Sequence, residues 1–535
     1  MKWLEQLEAY VPQTAEEAQA KAEILSAAYQ YGEEIFRREC SSGGHVTCSG
    51  MILDETMSYT LMVYHNIYQS FAWTGGHADG DTDFLAVAVR EAKEETGITV
   101  AEPLCSEILS LDVLPVMAHE KHGKPVGAHV HYNISFGLTA LRKEKLKVKP
   151  DENSAVEWIP ISHLAEVCHE KHMLLVYEKI IRRMQAVRSV QQEILQKSAE
   201  PLCCWYEKNA RDLPWRRDKE PYHVWVSEVM LQQTRAEAVK DYYTRFLEIF
   251  PTVQALAEAE EEQLHKAWEG LGYYTRAKNL QLAAKEICQV YEGIFPSEYS
   301  AVRSLPGIGD YTAGAICSIC FGQPVPAVDG NVLRVVMRLQ DCFGEIDKSH
   351  VKQRVTQDLR EIYPEAGGDF CGMLTQAYME LGAVVCIPNG IPHCGECPLR
   401  EICRSSAAGT ARLLPVRKQK VSKKIVPMTV FVMQCEERYA VCQRPKYGLL
   451  AGLWEFPNAE KKLDEQEALR QVKSWGCQPL TVTRTLERTH SFTHLIWEMK
   501  GAYIRCGRMS PLFQWKTIEE IKKELTVPSA FQKFF

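Results

Sequence analysis

The glycine turn in LPGIGDYTAGA, at 305–315, is the part of the chain best suited to hold an anion. Gly307 and Gly309 stand between a short apolar lead-in and a predicted helix that begins near Tyr311. Glycines leave backbone N–H groups and a helix N-terminus open to one anion without side-chain obstruction. The turn predicts a sequence-independent hold on a nucleic-acid phosphate. Taken alone, so short a motif more often marks an ordinary turn before a buried helix.

Two carboxylates accompany this turn. Asp329 lies in VDGN at 328–331, at the predicted start of the helix VLRVVMRL, and Glu228 lies on the apolar predicted helix WVSEVMLQQT at 225–234. By itself Asp329 fits an N-cap that accepts backbone N–H groups. By itself Glu228 fits a solvated or paired side chain.

Four cysteines form a second chemical site. Directly after the predicted helix MELGAVV comes a C-x7-C-x2-C-x5-C pattern, and its members are Cys386, Cys394, Cys397 and Cys403. Thiolates so closely spaced predict a metal or cluster site. Spacing alone favours structural zinc, and a reducing compartment disfavours disulfides.

Five blocks in fixed order carry a family resemblance: SEVMLQQT, GLGYYTRAKNL, LPGIGDYTAGA, VDGN and MELGA. Between about 197 and 500 the chain resembles the adenine DNA glycosylases of the MutY family, in the helix-hairpin-helix superfamily. The resemblance implies an all-α, two-lobed glycosylase domain. Tyr311 stands where strand-cleaving relatives such as endonuclease III carry a lysine that attacks the sugar. The resemblance therefore implies a monofunctional enzyme, which removes the base and leaves the strand intact.

The resemblance also assigns roles to the carboxylates, in the two-carboxylate chemistry typical of glycoside cleavage. It implies that Glu228 is the general acid that protonates N7 of the extruded adenine and then helps to activate water. An apolar helix face would raise the pKa of Glu228 as this role requires. It implies that Asp329 stays ionised and stabilises the oxocarbenium-like sugar, while Tyr311 and Asn331 orient the pair.

Base removal requires the adenine to be flipped out of the duplex. By resemblance Gln233 and Tyr273 wedge into the duplex near the lesion, and Arg216 and Gln376 line the adenine pocket. GLGYY alone would favour an aromatic packed between helices for Tyr273.

The cluster loop and the C-terminal part extend the resemblance. The family carries C-x6-C-x2-C-x5-C, so a 4Fe-4S cluster is implied, with one extra residue here in the loop IPNGIPH. RPKYGLLAGLWEFP at 444–457 and HSFTH at 490–494 resemble the family domain that recognises 8-oxoguanine. Phe492, Thr493 and His494 match its F-S-H signature, with Thr in place of Ser.

The first part of the chain carries an acidic helix. GGHADGDTDFLAVAVREAKEETGI at 75–98 resembles the Nudix box, with Thr82 in place of its first Glu. Glu91, Glu94 and Glu95 fall at i, i+3 and i+4, so they share one helix face. Such an oxygen set suits Mg²⁺ bridging a diphosphate, although an acidic solvated helix is the alternative. The implied substrate is a nucleoside diphosphate derivative or a nucleoside triphosphate.

A comparison within the chain links its two ends. RQVKSWG at 470–476 aligns with REAKEETG at 90–97, the end of the Nudix box, and is one residue shorter. Gln471, Ser474 and Trp475 then stand in the places of the three acids. The C-terminal copy is expected to have lost its metal ligands, as a domain that only recognises a lesion can do.

Composition fits a multidomain protein of 535 residues with 46% hydrophobic content. The net charge of −7 divides into −10 over 1–195 and +3 over the remainder, so the nucleic-acid machinery lies in the more basic part. We expect a cytoplasmic monomer with no membrane partner, because 19 cysteines occur without a signal peptide or long apolar span.

The predicted architecture has three folded domains, two linkers and a cluster loop. It comprises an N-terminal α/β Nudix domain (1–171), a helical linker (172–198), the glycosylase domain (199–385), the cluster loop (386–403), a basic linker (404–427) and a C-terminal α+β Nudix-like domain (428–535). The predicted partner is duplex DNA with adenine opposite 8-oxoguanine or guanine. Two alternatives stay open: a thymine mismatch glycosylase and a catalytically silent lesion-binding protein.

Overall fold

The computed structural model describes residues 2–38, 43–66, 69–121, 124–149, 153–417 and 422–535. The chain divides into two compact units, each made of two segments. The first unit contains Met1–Ala210 and Val328–Lys418, and the second contains Arg211–Ala327 and Gln419–Phe535. Within the described ranges no helix is long and apolar enough to cross a bilayer.

The N-terminal part of the first unit is a sheet between helices. Its elements are α1 (Lys2–Ala9), α2 (Ala15–Tyr31), β1 (Gly44–Asp54), β2 (Tyr59–His65), β3 (Ser70–Ala72), β4 (Thr74–His77), α3 (Phe84–Thr96), β5 (Glu102–Pro103), β6 (Ser110–Val116), β7 (His119–Lys121), β8 (Lys124–Val126), β9 (His129–Ala140), β10 (Asn153–Pro160), α4 (Leu164–Val167) and α5 (Lys171–Asn209).

The strands follow the order β10-β2-β1-β9-β5, with β3 beside β2, β4 beside β1 and β6 beside β9. The central strands β1 and β9 run parallel. Every residue of β1 is buried, as expected for a strand covered on both faces. Helix α3 buries Val87 and Ala88 in the same apolar cluster as Val46 and Cys48 of β1.

Helix α5 differs from the predicted linker because it is one continuous helix of 39 residues. Its first half buries Tyr177 and Met184 with residues of the N-terminal sheet. Its second half buries Leu195 and Leu202 in the core of the following helical region. The predicted boundary at 198/199 therefore falls inside a helix that contributes to two cores, and Pro201 lies within that helix.

The central helices belong to both units. The second unit contains α6 (Pro221–Leu231), α7 (Ala236–Ile249), α8 (Val253–Glu258), α9 (Glu261–Ala267), α10 (Thr275–Val290), α11 (Tyr299–Ser304) and α12 (Asp310–Phe321). The first unit contains α13 (Gly330–Gln340), α14 (Ser349–Arg360), α15 (Asp369–Val384) and α16 (Arg404–Ala407).

The C-terminal part repeats the layout of the N-terminal sheet. Its elements are β11 (Lys424–Cys435), β12 (Arg438–Gln443), β13 (Trp454–Glu455), β14 (Asn458–Ala459), α17 (Glu465–Ser474), β15 (Pro479–Ser491), β16 (Leu495–Cys506), β17 (Gln514–Lys516), α18 (Ile518–Glu524) and α19 (Ser529–Gln532). The order is β13-β12-β11-β16-β15, and again the two long central strands, β11 and β16, run parallel.

Two features of this part bear on the predicted boundaries and on the internal comparison. Strand β11 starts at Lys424, before the predicted boundary at 428, so part of the basic stretch is strand. Helix α17 contains most of the segment 470–476, which aligns with the end of the Nudix box. Trp475, which follows this helix and is partly buried, packs edge-on against Phe431 with ring centroids 4.8 Å apart. The predicted alignment pairs Trp475 with Glu95, so a packing role for this residue agrees with the expected loss of a metal ligand.

Candidate active site

Glu228 lies on α6, which begins with Pro221 at a position where a missing N–H costs nothing. The side chain is 6% exposed. Tyr311, in the first turn of α12, donates a hydrogen bond from its hydroxyl to Glu228 Oε2 at 2.6 Å. The structure thus joins two residues that are 83 positions apart in sequence, and both belong to the second unit.

The predicted glycine turn connects α11 to α12. Gly307 has φ +77°, and a Cβ there would lie 2.6 Å from Asn279 Cβ, so only glycine fits. Gly309 precedes α12 and faces open space. Arg303 braces the turn by donating to Asp310 Oδ1 at 2.6 Å and to the Ile308 carbonyl at 3.0 Å. Helix α12 therefore begins after a glycine turn that is open at Gly309, an arrangement in which a helix N-terminus can bind an anion.

Asp329 caps α13 in the first unit. Its Oδ1 accepts the backbone N–H groups of Asn331 and Val332, each at 2.8 Å. Its Oδ2 accepts from the Asn331 side-chain amide at 2.7 Å. Burial raises the pKa of Asp329, and these hydrogen bonds together with Arg334 oppose the rise. Asp329 is therefore an N-cap. The same carboxylate is the one predicted to stabilise the sugar, so the two interpretations do not exclude each other.

Arg334 extends this arrangement toward the cysteines. Its Nη2 donates to Asn331 Oδ1 at 2.9 Å and to the Gly382 carbonyl at 2.6 Å. Its Nε donates to the Cys386 carbonyl at 2.7 Å. A Cβ at Gly382 would lie 2.7 Å from Asn331 Cβ, so the close packing of α15 on α13 depends on that glycine.

The four cysteines lie after the end of α15, and all are partly buried. Burial raises the pKa of Cys397 to about 12, and the nearby thiols of Cys386, Cys394 and Cys403 add to the rise. Arg338 donates to Cys386 Sγ at 3.3 Å. Four neighbouring thiols beside a guanidinium suit a thiolate-bound metal group. The exposed apex of the first loop contains Asn389, Gly390 and Ile391.

Tyr273 and Gln233 share an unusual backbone conformation. Their φ angles are +48° and +61°, a region that non-glycine residues enter rarely and mostly at functional sites. Gln233 is exposed, and Tyr273 is 48% exposed despite its ring. Both therefore display their side chains from strained turns that follow α6 and α9.

The C-terminal signature lies beside Tyr273 within the second unit. The Tyr273 hydroxyl is 2.7 Å from Thr493 Oγ1. Both residues line a cleft of about 880 Å³, together with Phe492 and His494. Phe492 is held by ring contacts, whereas Thr493 and His494 are exposed at the tip of the turn between β15 and β16. Lys423 supports this turn through the Phe492 carbonyl at 2.6 Å.

The two predicted adenine-pocket residues belong to different units. Arg216 ends the short helical turn Pro214–Arg216 and donates to the Arg211 carbonyl at 3.4 Å. Gln376 lies on α15, where its Oε1 accepts from the Tyr206 hydroxyl at 3.1 Å.

The acids of the Nudix box lie on α3, as predicted. Glu95 Oε2 accepts the Gly75 N–H at 3.2 Å, and a Cβ at Gly76 would lie 2.3 Å from the Glu91 carboxyl carbon. Burial raises the pKa of Glu91, and the nearby Glu94 adds to this effect. Glu94 and Thr82 are exposed. Carboxylates on one helix suit a hard cation such as Mg²⁺.

Sequence reasoning missed the two arginines of α13. Arg334 and Arg338 are 2% and 4% exposed although both have long, polar guanidinium side chains. The available signal was a pair of arginines four residues apart on the helix VLRVVMRL, which is otherwise apolar. Charges buried on such a helix are rare unless they are paired.

Comparisons with known proteins agree with this division of the chain. Residues 226–363 match the family described as HhH-GPD superfamily base excision DNA repair protein, and residues 45–183 and 429–535 each match a NUDIX domain. The chain is a base-excision repair glycosylase with a Nudix domain on either side, as predicted. Among solved structures, an endonuclease III–DNA complex aligns with 41% of this chain and 98% of its own at 24% identity and a TM-score of 0.35.

Sequence relatives define the family more narrowly. The adenine DNA glycosylase of Homo sapiens is 34% identical over 401 residues, covering 62% of this chain and 72% of the human protein. The adenine DNA glycosylase of Buchnera aphidicola (Acyrthosiphon pisum) is 32% identical over 314 residues, covering 58% of this chain and 87% of that protein. The chain belongs to the adenine DNA glycosylase family.

Proposed function

We propose that the protein hydrolyses the N-glycosidic bond of adenine placed opposite 8-oxoguanine or guanine in duplex DNA. The observation that carries this proposal is the 2.7 Å contact between Tyr273 and Thr493. It places the residue expected to wedge into the duplex beside the residue expected to contact the opposite base. Their shared cleft, with Phe492 and His494 on its wall, offers stacking and hydrogen-bonding groups to an extruded or distorted base pair.

Two carboxylates would perform the chemistry. Glu228, held by the Tyr311 hydroxyl, is positioned to deliver a proton to N7 of the flipped adenine and then to activate water. Asp329 would stabilise the positive sugar, and the hydrogen bonds from Asn331 and Val332 favour its ionised form. These opposite protonation needs match the general scheme for glycoside cleavage.

Tyr311 limits the proposed reaction to removal of the base. A phenol in contact with a carboxylate cannot form the Schiff base that strand cleavage requires. The turn with Gly307 and Gly309 would hold a backbone phosphate, and Gln233 would act with Tyr273 as a wedge. Arg216 and Gln376 would contact the adenine. The reaction product would be an abasic site in an intact strand.

The four cysteines would hold a 4Fe-4S cluster that organises the nearby DNA-binding loop. The donor set supports this assignment, because four partly buried cysteines follow α15 and Arg338 donates to Cys386 Sγ. Arg334 connects this region to Asn331 through the Cys386 carbonyl. We assign the cluster no step of the hydrolysis.

The N-terminal domain would be a Mg²⁺-dependent Nudix hydrolase acting on a nucleoside diphosphate derivative or triphosphate. Glu91, Glu94 and Glu95 would hold the cation, which polarises a diphosphate when bound. Support comes from the approach of Glu91 and Glu95 to β4. The test is a Mg²⁺-dependent screen in which Glu94→Gln and Glu95→Gln abolish turnover, while Glu157→Gln, an exposed acid of β10, does not.

The glycosylase proposal is tested on duplexes that carry adenine opposite 8-oxoguanine, guanine or thymine. We expect release of adenine from the first two substrates, with heat or alkali needed to break the strand afterwards. Asp329→Asn should remove activity, while Glu365→Gln, an exposed acid of the same unit, should retain it. Failure of the unmodified protein to release adenine would overturn the proposal, and release of mispaired thymine would favour a thymine glycosylase.

A further inference from the structure

Four histidines lie on one face of the N-terminal sheet. His45 of β1 is directly opposite His131 of β9, and His77 of β4 is opposite Thr47 of β1. His129 precedes His131 by two residues on the same strand. Side chains alternate between faces along a strand, so all four rings project from the same face. Three separate strands therefore bring these histidines together.

The rings are in contact. Ring centroids are 4.8 Å apart for His45 and His77, 4.9 Å for His45 and His131, and 5.3 Å for His77 and His131. One ligand nitrogen from each of these three rings lies within 4.8 Å of the other two. Nitrogens that bind one ion at about 2.0–2.1 Å lie at most about 4.2 Å apart, so the three rings would draw together by side-chain rotation as an ion binds.

His45 is the buried centre of the group. It is 5% exposed and contacts the rings of the other three histidines. Its Nε2 has no hydrogen-bond partner among the described residues. Buried polar atoms are nearly always paired, so this nitrogen is suited to a ligand that the protein does not itself supply.

The neighbour His129 indicates which nitrogen of His131 carries its lone pair. His129 Nδ1 is 2.8 Å from the Gly127 carbonyl, which only accepts, so Nδ1 carries the hydrogen. In neutral His129 the Nε2 then accepts, and it is 3.3 Å from His131 Nε2. In that pairing His131 Nε2 donates, and its Nδ1 keeps the lone pair for a ligand.

This group is separate from the acids of the Nudix box. Gly76 faces Glu91, as the short distance from its hypothetical Cβ shows, and Gly76 is paired with Cys48. Cys48 lies in the apolar cluster with Val87 of α3. His77 follows Gly76 on β4 and therefore projects from the opposite face of the sheet.

We propose that His45, His77 and His131 form a binding site for a divalent first-row transition-metal ion of the zinc type. Imidazole nitrogens select such ions, whereas Mg²⁺ prefers oxygen ligands. Three protein ligands leave one position of a tetrahedral ion for water or an anionic oxygen. The site does not depend on the glycosylase activity or on the four cysteines.

The test uses Zn²⁺ with the full chain after its thiol site has been loaded with iron and sulfide. Zinc and iron are counted by elemental analysis after desalting. We expect the wild type to retain about one zinc ion more than His77→Ala and His131→Ala. The zinc affinity of each variant should fall at least tenfold, because even the loss of a residue that only supports a metal ligand costs about that much. His163→Ala, an exposed histidine of the same domain, is the matched control and should behave as wild type.

A second measurement needs no variant. X-ray absorption at the zinc edge should show a nitrogen and oxygen shell with imidazole scattering. A sulfur shell, equal zinc in the wild type and the two site variants, or no retained zinc would each overturn the proposal. Equal iron content and circular dichroism across the variants will show that altered zinc content does not reflect unfolding.

Discussion

Arg334 donates a hydrogen bond to Asn331 Oδ1 at 2.9 Å, and this contact fixes which way the amide of Asn331 points. With its oxygen toward the guanidinium, the amide nitrogen faces Asp329 Oδ2 at 2.7 Å. A flipped amide would place its NH2 against the guanidinium and its oxygen against the carboxylate, and both contacts would be repulsive. Arg334 thus sets the hydrogen bonding of Asp329 through the side chain of Asn331.

Arg334→Ala should slow adenine release in single-turnover assays by about 10- to 100-fold, the range expected for hydrogen bonds to a charged donor. Arg334→Lys should recover little, because an ammonium lacks the planar fork that reaches Asn331, Gly382 and Cys386 together. Iron content should fall in both variants. Arg360→Ala, at the exposed end of α14, is the control. Equal rates for Arg334→Ala and Arg360→Ala would contradict the role.

Asn331→Ala should move the acidic limb of the pH–rate profile to higher pH. Burial raises the pKa of Asp329, and the Asn331 amide is among the groups that lower it. Removing that donor lets the pKa rise further, so a rate that needs the ionised carboxylate is lost at a higher pH as acid is added. Loss of one charge-assisted hydrogen bond corresponds to about one pH unit. An unchanged acidic limb would show that Asp329 does not control it.

Local patterns predicted the carboxylates and the cysteines, because each lies in a short block whose residues are neighbours in sequence. Arg334 was not predictable in the same way, since its acceptors at Gly382 and Cys386 are 48 and 52 residues further along. The histidine group draws on three strands, so only the pairing register reveals it. The continuity of α5 was missed because its two halves bury side chains in different cores.

Tyr273→Phe and Thr493→Val should each reduce the preference for adenine opposite 8-oxoguanine over adenine opposite guanine. The two hydroxyls contact each other, so each orients the other in the shared cleft. The double variant should lose less than the sum of the single losses, with a coupling of about 0.5–1.5 kcal/mol. Thr493→Ser keeps the hydroxyl and should retain most of the preference. If the losses of the two single variants simply add in the double variant, the two hydroxyls do not act together.

Tyr311→Phe should slow adenine release by about 10- to 100-fold with little change in duplex affinity. The substitution removes a 2.6 Å hydrogen bond to the buried Glu228 carboxylate while keeping the ring, so the acid loses the contact that holds it in position. Tyr291→Phe, at the end of α10, serves as the matched control. Borohydride should trap no adduct with the wild type, whereas Tyr311→Lys introduces an amine beside Glu228 and should yield one. Trapping by the unmodified protein would mean that another amine attacks the sugar, and the enzyme would then not be limited to removing the base.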